Sequence, residues 1–170
     1  MSCTLLIVRH GIAEDAARGM RDADRRLTPD GIRKLQAVAA GLQSLGVAPQ
    51  AILSSPLRRA EETAVLLQRT LLPKKSVATF APLAPGHDPA EVARALGSHR
   101  TAHQLVLVGH QPDLGHFVSY LLSGSITVQV DFKKGGVAAV EVTSLPPHAP
   151  GVLLWMLTPK QLRAIGRGAP

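Results

Sequence analysis

Apolar residues along this chain follow two rhythms. Short unbroken runs, Leu5-Leu6-Ile7-Val8, Ala51-Ile52-Leu53 and Leu105-Val106-Leu107-Val108, are apolar at every position, as in strands of a parallel sheet covered on both faces. Elsewhere apolar residues recur at helical spacing. Leu35, Val38, Ala39 and Leu42 form one stripe, preceded by Thr28 as N-cap and Pro29 at the first helical position and ended by Gly46. Further helices are expected from about Leu57 to Leu72, from Asp88-Pro89 to about Leu96, from Pro112-Asp113 to about Leu122, and briefly after Pro159. A weaker strand is expected over 76–80.

Alternating strands and helices up to about residue 125 predict an α/β fold, a three-layer sandwich whose mostly parallel central sheet is covered on both faces. Beyond that point 126–132, 137–143 and 152–157 read as strands without helices between them. They predict an antiparallel edge, with Lys133-Lys134-Gly135-Gly136 as a turn. From Glu14 to Arg26 acids and bases mix too irregularly for a helix face, so a loop is expected. The length of 170 residues, without repeat, low-complexity stretch or linker, predicts one domain over 1–170.

Composition narrows the function classes. Hydrophobic residues at 45% and charged residues at 18% suit a globular chain, and no apolar run reaches the roughly 20 residues of a membrane span. Met1-Ser2-Cys3 leads into the first strand without a basic leader region, so a cytoplasmic location is expected. A single cysteine, Cys3, excludes an intramolecular disulfide and suits a reducing compartment. The net charge of +7 favours anionic partners, but an aromatic content of 3% leaves few platforms for stacking bases. A phosphorylated or acidic protein fits better than nucleic acid. No apolar patch is evident, and a monomer is expected.

Chemistry gathers at strand ends. In an open α/β sheet, ligands bind outside the carboxyl ends of the strands. Three such ends carry Arg9-His10-Gly11, Ser54-Ser55-Pro56-Leu57-Arg58-Arg59-Ala60 and Gly109-His110. Parallel strands bring them together, so two imidazoles and at least two guanidiniums share one pocket, an arrangement that calls for an anion such as a phosphoryl group. Arg58 and Arg59 lie about 100° apart on a helix, so at most one faces the pocket. His110 and His116 lack the spacing of a helical metal pair, no carboxylate cluster accompanies them, and no metal or cofactor is expected. Nucleotide-binding glycine loops and the G-x-S-x-G elbow are absent.

Arg-His-Gly after the first strand, Ser-Pro-x-x-Arg-Ala-x-x-Thr-Ala from Ser55 to Ala64, and Gly-His after a later strand together resemble the histidine phosphatase, or phosphoglycerate mutase-like, superfamily. The resemblance covers almost the whole chain. Arg25-Arg26-Leu27-Thr28-Pro29-x-Gly31 and the short span from Arg59 to His110 look like its smallest branch, the SixA-type phosphohistidine phosphatases, which lack an inserted helical lid. By position, the resemblance implies that His10 is the nucleophile, that Arg9, Arg59 and His110 bind the phosphoryl oxygens, and that Gly11, Arg25, Ser55 and Gly109 border the substrate. It implies hydrolysis without metal or cofactor, through a phosphohistidine on the enzyme.

One departure bears on substrate. Relatives that cleave alkyl phosphates carry a Glu after the third strand as general acid, where this chain reads Leu83-Ala84-Pro85-Gly86-His87-Asp88. Asp88 and His87 are the substitutes at hand. A phosphoramidate needs less help, because imidazole is a far better leaving group than an alkoxide. The expected substrate is therefore a phosphohistidine on a signalling protein, for example a phosphotransfer domain, with basic residues from Arg18 to Arg26 steering an acidic partner. Two alternatives stand beside it: a small-molecule phosphomonoesterase, and a non-catalytic module that docks phosphoproteins.

Overall fold

A computed structural model describes residues 2–148 and 150–168; Met1, Ala149, Ala169 and Pro170 of the expected 1–170 domain lie outside the described residues. The three unbroken apolar runs become adjacent strands. β1 (Cys3–Arg9), β2 (Ala51–Ser54), β3 (Ala78–Thr79), β4 (Gln104–Gly109), β5 (Val137–Val142) and β6 (Val152–Leu157) form one sheet in the order β3-β2-β4-β1-β5-β6. β1 pairs parallel with β4, β4 with β2 and β2 with β3, while β5 runs antiparallel to β1 and β6 antiparallel to β5.

Alternation along the strands splits the core in two. Leu5 and Ile7 join Leu105, Leu107, Leu114 and Phe117 under α3 (Pro89–Ala95) and α4 (Asp113–Ser123). Leu6 and Val8 join Val106, Val108, Val38, Leu67 and Leu162 under α1 (Pro29–Ser44), α2 (Arg58–Leu71) and α5 (Pro159–Gly168). The result is the expected three-layer sandwich, with the segment between α2 and β4 taken up by β3 and α3 rather than a lid.

Local chemistry anchors the chain that leaves β1. Thr28 Oγ1 accepts from the Gly31 amide at 3.0 Å, a cap contributing about 1 kcal/mol. A Cβ at Gly31 would stand 2.3 Å from the Ile12 carbonyl oxygen, so only glycine lets the strand exit press against the first turn of α1. An antiparallel bridge between Ala13 and Leu27 closes the base of the 14–26 loop, which contains a turn at Arg18-Gly19 and a 3₁₀ segment at Asp22–Asp24.

Three expectations change. The stretch 126–132 is not a strand. Its alternating apolar residues pair with no strand: β5 takes the place beside β1 and β6 the place beside β5. It packs along α4 instead, where the Val128 amide donates to Ser119 Oγ and Gln111 Nε2 donates to the Val130 carbonyl. The 133–136 turn consequently joins no hairpin, and its Gly135 amide reaches the carbonyls of Arg9 and His10. The third strand shrinks to two residues. At the opposite edge, β6 exposes Val152, Leu153 and Leu154, an apolar row indistinguishable in sequence from a core strand. Among the described residues no helix is long and apolar enough to cross a membrane.

Candidate active site

Pairing of β1 between β4 and β5 sets Arg9 level with Gly109, so the Arg9-His10 and Gly109-His110 tips leave the sheet side by side. The His10 amide donates to the Gly109 carbonyl at 3.1 Å, and the Ser55 amide to the Val108 carbonyl at 2.9 Å. These main-chain bonds bring all three strand tips together. The His10 and His110 ring centroids lie 5.2 Å apart, and both rings are buried.

His10 has a defined tautomer. Its Nδ1 lies 2.7 Å from the Gly11 carbonyl, which can only accept, so Nδ1 carries the proton. Arg59 Nε–H lies 3.3 Å from Nε2, which therefore offers its lone pair. Burial pushes the His10 pKa down to about 4, with Arg59, Arg9 and Lys134 adding repulsion against the Gly11 carbonyl's opposing effect. Burial also lowers His110 to about 3, assisted by His10 and Arg59. Both imidazoles are neutral at pH 7.

The neighbours hold this arrangement. Of the two adjacent arginines, Arg58 is 43% exposed and pairs with Glu62, whereas Arg59 is 7% exposed and turns inward. Thr63, one turn along α2, accepts from the Gly11 amide at 3.1 Å and donates to the Arg59 carbonyl at 2.7 Å, tying the β1 exit to α2. Ser55 Oγ sits 2.7 Å from His110 Nε2. Arg9 donates through Nη1 to the Phe132 carbonyl. The Gly135 amide donates to the Arg9 and His10 carbonyls at 3.0 and 3.1 Å from a backbone at φ +82°, which favours glycine. Gly109 packs against Leu114, which a Cβ there would approach to 2.9 Å.

Asp22 also enters the site, a placement that the sequence leaves open. Its carboxylate accepts from Arg59 Nη2 at 2.9 Å and its carbonyl from Arg59 Nη1 at 2.8 Å. Arg25 grips the same carboxylate at 2.9 Å while bonding the Glu14 carbonyl, so Arg25 reaches the site through Asp22. Hydrogen bonds from Arg25, then Arg59, hold the Asp22 carboxyl below the usual carboxylate range. No local pattern in the 14–26 stretch signals this contact. Thr63, by contrast, falls within the Ser55–Ala64 motif.

Asp88 and His87 are engaged elsewhere. The Asp88 carboxylate caps α3 by accepting from the Ala90 amide at 2.7 Å, and His87 lies 3.1 Å from Glu91. The charges acting on His10 come from Arg59, Arg9 and Lys134, and those acting on His110 from His10, Arg59, Asp22 and Arg9.

Two buried groups flanking His10, Arg9 Nε and His110 Nδ1, have no hydrogen-bond partner among the described residues. Such groups each cost about 1–3 kcal/mol, and a polyoxygen anion would satisfy a donor. A groove of about 940 Å³ between α1, α2 and the 14–26 loop is lined by Glu14, Arg26, Arg58 and Glu62 and excludes His10 and His110. His10, Arg59 and His110 gather instead where the strand tips converge. Among the described residues no group of three or more His, Cys, Asp or Glu side chains could hold a metal ion.

Known proteins resemble this chain in sequence and fold. A protein of Picosynechococcus sp. that is itself uncharacterized is 36% identical over 163 residues, 93% of this chain and 98% of the relative. The structure of the protein histidine phosphatase SixA complexed with tungstate superposes with a TM-score of 0.82 at 26% identity, covering 94% of this chain and 99% of that one. The fold is also that of a phosphoserine phosphatase from Entamoeba histolytica, with a TM-score of 0.68 at 18% identity over 94% and 99% of the two chains. A mycobacterial glucosyl-3-phosphoglycerate phosphatase matches with a TM-score of 0.64 at 20% identity over 91% and 98%. Residues 5–81, which include Leu5 to Arg9 of β1, Asp22, Arg59 and Thr63, match the model of the histidine phosphatase superfamily (branch 1). With these matches, its strand-tip histidines and its inward arginine, this chain belongs to the histidine phosphatase superfamily.

Proposed function

We propose that the protein is a metal-independent phosphatase that removes the phosphoryl group from phosphohistidine on a partner protein, through a phosphohistidine formed on its own His10. The observation that carries this reading is the neutral His10, whose Nε2 lone pair is held beside Arg59 while Nδ1–H is tied to Gly11. A nucleophilic imidazole needs that protonation state and that orientation.

In the first step the His10 Nε2–P bond forms and the substrate's P–N bond breaks. The leaving imidazole departs neutral when its far nitrogen carries a proton from solvent, so no enzyme acid is required. Water then attacks phosphorus, the Nε2–P bond breaks, and inorganic phosphate leaves with the water proton shared between phosphate and solvent. Arg9, Arg59 and His110 surround the phosphoryl oxygens, in a reaction where positioning and electrostatic stabilisation supply most of the catalysis. Gly11, Ser55 and Gly109 shape the walls. Asp22 occupies the Nη donors that a phosphoryl dianion needs, so substrate entry displaces its carboxylate from Arg59.

Aryl phosphates, alkyl phosphates and phosphohistidine proteins compared as substrates provide the test. Phosphohistidine and aryl phosphates should turn over much faster than alkyl phosphates, because Asp88 and His87 are engaged on α3 and no other acid stands ready for an alkoxide. Alkyl turnover equal to aryl turnover would point instead to a small-molecule phosphomonoesterase. Absence of turnover on every phosphate would leave a phosphoprotein-binding module.

A further inference from the structure

The positive charge of the chain is unevenly placed. The 14–26 loop, expected from sequence to steer an acidic partner, carries as many carboxylates as cations. Arg21 there pairs with Asp24, and Arg25 with Asp22. Its field largely cancels within a Debye length.

The excess lies where α1 meets α5. Their backbones touch: a Cβ at Gly41 would stand 2.1 Å from the Leu162 carbonyl oxygen. Long side chains from both helices therefore line common hollows. One, of about 150 Å³, is walled by Arg33, Lys34, Arg163 and Arg167 around Ala37. The next, of about 120 Å³, shares Lys34 and Arg163 and ends at Lys134, Gly135 and Gly11. Gly11 follows the nucleophile, and Gly135 donates to its carbonyl. The basic strip thus begins at the wall of the catalytic pocket.

Little within the protein neutralises it. Asp30 pairs with both Arg33 and Lys34. Arg163 and Arg167 direct Nε to carbonyls of their own helix, and among the described residues neither forms an ion pair with a carboxylate. Five cations against one carboxylate repel one another, and an acidic surface laid along them offsets that repulsion and accelerates encounter.

We propose that the α1–α5 ridge docks the acidic face of the protein whose phosphohistidine enters the His10 pocket. The proposal rests on the phosphohistidine reading above and assigns its partner a charge and a place. An acidic face beside the phosphorylated histidine would span from Lys134 to Arg167 while the phosphoryl group reaches His10.

The test uses the double variant Arg163→Glu with Arg167→Glu, the charge-keeping pair Arg163→Lys with Arg167→Lys, and a chemically phosphorylated, acidic phosphotransfer domain as substrate. Charge reversal should raise KM for the phosphoprotein at least tenfold and flatten its salt dependence. Aryl phosphate turnover should stay within twofold of wild type, and the lysine pair should keep near-normal KM. Unchanged phosphoprotein KM in the reversed variant, with wild type active, overturns the ridge and leaves the phosphohistidine reading intact. Wild type active on aryl phosphate but on no phosphoprotein removes that reading, and the ridge proposal with it. Loss of duplex RNA binding in the reversed variant, with phosphoprotein turnover intact, would reassign the ridge to nucleic acid. Circular dichroism melts of each variant separate these outcomes from misfolding.

Discussion

The guanidinium of Arg59 and the carboxylate of Asp22 meet at 2.9 Å, joining the first turn of α2 to a loop thirty-seven residues earlier in the chain. The same guanidinium touches His10, the proposed nucleophile, through Nε. One arginine therefore contacts both the His10 imidazole and an internal carboxylate.

Removing that anion should improve anion binding. Asp22→Asn keeps the side chain's size while abolishing its charge, and the inhibition constant for inorganic phosphate or tungstate should fall by roughly threefold to tenfold, in the range of a charge-assisted hydrogen bond. Isothermal titration or competitive inhibition measures it. Weaker anion binding in the variant would mean that Asp22 holds Arg59 in place rather than competing for it.

His10→Ala should reduce kcat by at least a factor on the order of 10³, as expected when a covalent nucleophile is lost. Rapid quenching into alkali with a labelled aryl phosphate should trap an acid-labile phosphoryl group on His10 of the wild type. Label on Ser54 or Ser55 would refute the assignment.

Arg59→Ala should lower kcat/KM by about 10²–10³-fold, the typical cost of deleting a donor to a developing oxyanion. Arg58→Ala should change it by less than about threefold, because its charge is already matched by Glu62 on the surface. Lysine at 59 should restore only part of the loss, since a point charge does not reproduce the planar fork. Steady-state kinetics on an aryl phosphate distinguishes these cases.

Burial of the two histidines sets a pH window. In the unfolded chain each takes up a proton near pH 6.5, whereas in the folded protein His10 does so near 4 and His110 near 3. Below about 6.5 the unfolded state binds more protons, so the histidines' support for folding is intact above that value and is lost as pH falls toward 4. Thermal melting at pH 7 and pH 4.5 should show a lower midpoint at the acid value, and His10→Asn should reduce the difference. Imidazole ¹⁵N shifts should report a neutral His10 ring, protonated at Nδ1, at pH 5.5. Titration of that ring near 6.5 would contradict the burial argument.

Treatment with a chelator should leave aryl phosphate turnover unchanged, because the step proposed at His10 draws its charge stabilisation from guanidiniums and imidazoles. Loss of activity, restored by one particular divalent ion, would overturn this.

Local chemistry makes much of the molecule readable from sequence. Unbroken runs such as Leu105–Val108 encode strands buried on both faces, and Thr28-Pro29 with its apolar stripe encodes α1, because side-chain periodicity and capping act within a few residues. The strand tips carrying His10, Ser55 and His110 follow from those elements, since parallel strands in one sheet end on the same side. Tertiary packing settled what periodicity leaves open. Residues 126–132 alternate like a strand yet lie along α4, where Ser119 takes the Val128 amide and β5 and β6 hold the places beyond β1. Val152 to Leu154 look like core and lie at the exposed edge, because nothing in the local sequence says which strand ends the sheet. The inward choice of Arg59 over Arg58 depended on Glu62 and Asp22. The reach of Arg9 to the Phe132 carbonyl spans 123 positions. Contacts of that kind leave no mark on neighbouring residues; they exist only once the sheet order has brought distant loops to one end, which is why the sequence pointed to His10, Arg9 and Arg59 as candidates but not to the carboxylate that Arg59 holds.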